Sequence, residues 1–223
     1  NGTTYNANQQ TYTAAAGQNI VLSGGATTTF TSSNDAIAFN TSNIQLGNGS
    51  NLVVTSNGGA ISALKIDGTS SEDVTLNASG GTTNTVTVGA IGTQTANGIN
   101  TVTLTGSGGV TLNGNITTDN TAGNSVTVTG PTTLGTNIAI NTSGNTGGVF
   151  FVGAGSTIDG PQTLAITAGT GNIDLQGNVG ANTALTQLTA TGANIDLHNV
   201  KTTGIQTYTA SGTITTNSDY VSA

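Results

Sequence analysis

Apolar residues recur along the chain as alternating triplets: Ile20-Val21-Leu22, Ile44-Gln45-Leu46, Val74-Thr75-Leu76, Val86-Thr87-Val88, Val102-Thr103-Leu104, Val126-Thr127-Val128, Ile173-Asp174-Leu175 and Ile195-Asp196-Leu197 are examples. A period of two puts the outer residues of each triplet on one side of an extended segment, and so predicts short strands with one buried edge. Between them lie clusters such as Gly106-Ser107-Gly108-Gly109 and Asn113-Gly114-Asn115, residues that turn the backbone at little cost. No helix is predicted. Thr, Gly, Asn and Val are poor helix formers, and helical spacing of apolar residues is not sustained over any window of about 11 residues.

The strands belong to a longer repeat. Gln10-Thr11-Tyr12-Thr13-Ala14 leads through Gly17 to Ile20, Gln162-Thr163-Leu164 through Gly171 to Ile173, Gln187-Leu188 through Gly192 to Ile195, and Gln206-Thr207-Tyr208-Thr209-Ala210 through Gly212 to Ile214. The last three copies start 25 and 19 residues apart, a period that suits one solenoid coil. The fold class expected is therefore all-β, a parallel β-solenoid of about 19–25 residues per coil and about ten coils. Residues 1–223 would form a single elongated module, an excerpt or subunit of a longer array. Tandem β-sandwiches are the competing architecture. Their cores usually want aromatic residues, and the chain has four Tyr, four Phe and no Trp.

Composition narrows the function. Charged residues are 5% of the chain, the net charge is −7, and Lys65 and Lys201 are its only basic side chains apart from His198. Such a surface repels a phosphate backbone, so nucleic acid is excluded as a partner. With no Cys and no Arg, thiolate nucleophiles, thiolate metal sites and arginine clamps are excluded too. The longest compact apolar run, Val149-Phe150-Phe151-Val152, is far too short for a membrane-spanning helix. No basic-then-apolar start reads as a signal peptide and no Met occurs, which leads us to expect a processed product or an excerpt. So low a charge is unusual for an ordinary soluble domain and points to a secreted or bacterial cell-surface protein.

The Gln-Thr-Tyr-Thr-Ala, Gly-Asn-Ile-Asp-Leu and Thr-Val-Thr-Leu-Thr-Gly-Ser-Gly-Gly-Val-Thr-Leu patterns resemble the repetitive regions of large bacterial surface exoproteins, the filamentous-haemagglutinin-like adhesins. The likeness is one of composition and rhythm over most of the chain, without the Asn-Pro-rich secretion domain that begins such exoproteins. It implies a right-handed parallel β-helix, export across the envelope, and a role in adhesion, biofilm or filament structure.

Several residues are candidates for more than architecture. Tyr5, Tyr12, Tyr208 and Tyr220 all lie in the terminal parts, where they could pack an interface between successive modules, end to end or laterally. Asp174 and Asp196 hold equivalent places in two Ile-Asp-Leu triplets and could stack on adjacent coils as a calcium site, or stand as solvated carboxylates with Lys201 nearby. The segment Lys65–Asp73 holds the only Glu and reads as a solvated charged loop. His198 beside Asp196 lacks a Gly-x-Ser-x-Gly elbow, and no enzymatic role or cofactor is expected. Finally, Thr85 and Thr87, Thr101 and Thr103, and Thr127 and Thr129 form Thr-x-Thr pairs whose hydroxyls would share one strand face. Such an array offers a second reading, a binding module for ice or a crystalline host or matrix polysaccharide.

Overall fold

The structure is a computed structural model that describes residues 2–93, 98–119, 125–144, 146–153 and 155–217. All its strand pairs are parallel, no helix occurs among the described residues, and the chain winds through about eight turns of a β-solenoid, fewer than the ten expected because several coils are longer than the repeat spacing implied. One face of the coil is a ten-stranded sheet that begins with Thr3–Asn6, Thr28–Ser32 and Leu52–Ser56 and ends with Ile173–Leu175, Ile195–Leu197 and Ile214–Thr216. A second, 14-stranded sheet supplies two further faces. These join where Ile61–Asp67 and Thr85–Ile91 run on around a corner, and elsewhere each face has its own short strand. Towards the C-terminal end the second face thins to single bridges at Val179 and Val200.

Inward residues stack in columns, like on like. On the third face Ile20, Ile44, Ile66, Ile91, Ile116, Ile140 and Ile166 follow one another up the stack, and Ala190 and Tyr208 complete the column. Burying each isoleucine is worth about 2 kcal/mol, whereas an outward cross-strand pair adds at most about 1 kcal/mol. The interior column therefore sets the register. A slip by one residue would turn every isoleucine outward.

The coil length varies more than the sequence spacing suggested, because turns absorb the slack. Asn194 bonds across the stack to Thr213, 19 positions on, while Asp73 bonds to Thr101, 28 positions on. Corners are tight. At the corner between the second and third faces Gly89 follows Leu64 in the stack, and a Cβ there would collide with the Leu64 carbonyl oxygen.

The structure separates two segments that look alike in sequence. Gln162, Gln187 and Gln206 lead strands stacked on the third face, and their partners Ile173, Ile195 and Ile214 stack on the first. The copy that begins at Gln10 pairs instead with Ile37–Phe39 on the second face, and its Ile20 lies on the third. It is out of phase by one face. Because all three faces share the same alternation, sequence carries no mark of which face a strand joins.

Candidate functional site

Each candidate has a definite place on this frame. Tyr5 and Tyr12 close the N-terminal end. The Tyr5 ring stacks on Phe30 at 4.9 Å between centroids, and Tyr12 stacks on Phe39 at 5.0 Å and meets Phe30 edge-on at 4.8 Å. Such pairs add about 1 kcal/mol each beyond the area they bury. The Tyr12 hydroxyl donates to Gln10 Oε1 at 2.6 Å, and burial, then the neighbouring Tyr5, raises its pKa above the usual phenol value. Tyr208 repeats that local bond, donating to Gln206 Oε1 at 3.0 Å, and follows Ala190 in the stack. Tyr220 lies outside the described residues.

The six threonines do not share one face. Thr85 and Thr87 lie on the second face, paired with Gly109 and Thr111, whereas Thr101, Thr103, Thr127 and Thr129 lie on the first. Thr101 is already engaged, donating its hydroxyl to Asp73 Oδ1 at 2.7 Å. On the first face the array is longer than the triplets alone suggested. Thr29, Val53, Thr75, Thr103 and Thr127 form one outward column, and Thr31, Thr55, Asn77, Thr105 and Thr129 the next.

The segment Lys65–Asp73 is not a solvated loop. It comprises the end of one strand, a tight turn with Ser71 at φ 60°, and the start of the next strand. Glu72 is fully buried, and its carboxylate accepts from the backbone N–H groups of Thr69 and Ser70 at 2.9 Å and of Gly49, one coil earlier, at 3.2 Å. Asp73 accepts from Asn100 Nδ2 and from the amide and hydroxyl of Thr101. Asp67 pairs with Lys65 Nζ at 2.6 Å and accepts from the Thr93 hydroxyl.

Asp174 and Asp196 do stack on adjacent rungs, in register, on the first face. Lys201 forms no ion pair with either, because the chain turns onto the second face between Leu197 and Val200. No hydrogen bond joins Asp196 to His198, and among the described residues no three His, Cys, Asp or Glu side chains gather to hold a metal. The pair instead borders a shallow groove of about 270 Å³, with Phe150, Asn172 and Asn194 also in its lining. Phe150 continues the outward column past Thr127, so the threonine array ends where the groove begins. The sequence reading missed Phe150, although alternation within Val149-Phe150-Phe151-Val152 requires one phenylalanine inside and one outside; Phe151 is the buried one.

No family model, curated protein or solved structure matches this chain. Among the described residues no helix is long and apolar enough to cross a membrane.

Proposed function

We propose that the chain is a structural and adhesive segment of a secreted or bacterial cell-surface protein, a stiff β-solenoid rod of the kind found in filamentous-haemagglutinin-like exoproteins, which supports adhesion or biofilm. The observation that carries this reading is the uninterrupted column of side chains through every rung of the third face, from Ile20 to Tyr208. Such a stack is a quasi-one-dimensional element whose outer strands have unpaired backbone groups, and open strand edges template their own continuation. Its partner would be a second copy or neighbouring repeats of the same chain. A copy that continued the ladder would bring Tyr208 over Ile20, not over Tyr12, because Tyr12 belongs to the second face. Ile205 and Val21, respectively 69% and 61% exposed, would approach the same junction.

The test is electron microscopy across a concentration series, with and without calcium. Filaments that lengthen with concentration, and shorten in Tyr208→Ser, are the expected result. Compact particles, neither rods nor filaments at any concentration, would overturn the reading.

One observation favours the second reading, in which the rod face itself binds ice or crystalline polysaccharide. The paired columns of Thr, Val and Asn run in register over five rungs from Thr28–Ser32 to Ser125–Thr129, spaced by about 4.8 Å.

A further inference from the structure

Among the described residues, Phe150 is the one aromatic residue on the outward side of the first face beyond Thr127, and its surroundings set it apart from the threonine array. Its ring lies over Gly148: a Cβ on that glycine would come within 2.7 Å of Phe150 Cε2. Glycine at this position lets the ring lie along the sheet, with one side against the backbone and the half-buried remainder facing the groove. Just above it in the stack stand Asp174 and then Asp196, and beside these stand Asn172 and Asn194 from the repeated Asn-Ile-Asp-Leu segments.

The hydrogen bonds of these four side chains are only partly used. Gln176 Nε2 donates to Asp174 Oδ2 at 3.0 Å, and Asn217 Nδ2 donates to Asp196 Oδ1 at 2.6 Å. Asn194 Nδ2 donates to Asn172 Oδ1 at 2.9 Å. These bonds hold Asp174 from its own rung and tie Asp196 and Asn172 to the rung above. Among the described residues, Asp174 Oδ1, Asp196 Oδ2 and Asn172 Nδ2 have no partner. The groove thus combines an aromatic surface, two fixed charged acceptors and donors on Asn172 and Thr215.

We infer that this groove binds a single uncharged pyranose ring of a glycan. A sugar has an apolar C–H face that packs on an aromatic ring and a rim of hydroxyls that donate and accept. Carboxylates are strong acceptors for those hydroxyls, because charge-assisted bonds are roughly twice as strong as neutral ones. The volume is just below the ~300 Å³ at which sites for drug-sized ligands begin, which suits one ring rather than an oligosaccharide. Two carboxylates with no basic side chain in the lining repel uronates and sulfated sugars. A calcium ion is a poorer occupant: it takes six to eight oxygens, and the groove has two spare carboxylate oxygens. The inference names the ligand class of the adhesive reading and rests on that part of it, since a rod alone needs no ligand.

The test titrates the full chain with methyl β-glucoside, methyl β-galactoside, methyl N-acetyl-β-glucosaminide and methyl β-glucuronide, followed by saturation-transfer NMR and calorimetry. At least one neutral glycoside should bind saturably and the glucuronide should not. Phe150→Ala should weaken binding about tenfold, and so should Asp174→Asn combined with Asp196→Asn, while Thr167→Ala, exposed on the third face, leaves it unchanged. Circular dichroism checks that each variant is folded, and if Phe150→Ala does not fold the double Asn variant carries the comparison. The inference fails if no neutral glycoside saturates, if the glucuronide binds equally well, or if binding is undiminished by loss of both carboxylates. It also fails if calcium chloride alone binds stoichiometrically and is lost in the double variant. Rods in micrographs without sugar binding would sink this inference and spare the rod; sugar binding by compact particles would do the reverse.

Discussion

In the turn around Ser70, every carboxylate faces donors supplied by its own chain: Glu72 has three backbone amides, Asp73 has Asn100 and Thr101, and Asp67 has Lys65 and Thr93. Beside Phe150, Asp174 and Asp196 each accept one bond from a neighbouring amide and keep the other oxygen free. The first region is the more charged in sequence, and its charges hold a corner of the coil together. The second has two Asp residues far apart in sequence, which the repeated Ile-Asp-Leu triplets mark as equivalent and which the stack brings side by side. Spare hydrogen-bonding capacity, rather than density of charge, separates a surface that can receive a ligand from one that is already internally satisfied.

This contrast predicts how stability responds to neutralising the acids. Glu72→Gln should have the largest effect, a loss of about 3 kcal/mol in chemical denaturation, because an amide nitrogen would face N–H groups in a fully buried site. Asp73→Ala should cost about 1 kcal/mol by the same measurement, since its partners are only partly buried and regain water. Asp174→Asn with Asp196→Asn should change stability by no more than about 0.5 kcal/mol, with a gain expected from relief of like charges on adjacent strands. A double Asn variant less stable than Glu72→Gln would reverse the comparison.

Much of the architecture was legible in the sequence. Alternation marked the strands, and the spacing of Gln162, Gln187 and Gln206 marked the coil, because both follow from local geometry. The burial of Glu72 was not legible, because part of its cradle comes from Gly49, 23 positions away and one rung below. The same holds for Gln10-Thr11-Tyr12, which matches Gln206-Thr207-Tyr208 letter for letter and yet belongs to another face. Face assignment depends on how many residues each corner consumes, and the corners here are variable Gly and Asn turns. Phe150 was within reach: a strand reading of its four-residue apolar run already demands that one of the two rings point outward.

The backbone ladders of a parallel coil run along the stack, while the chain enters at one end and leaves at the other. Tension between those ends therefore loads the hydrogen bonds in opening rather than in shear, and turns detach one after another from the outermost inward. Each turn adds about 4.8 Å to the folded stack. Once detached, its 19 to 28 residues extend to roughly 65–95 Å. A rod of the kind we propose would therefore lengthen stepwise when pulled, dissipating work at each turn before the chain is fully drawn out.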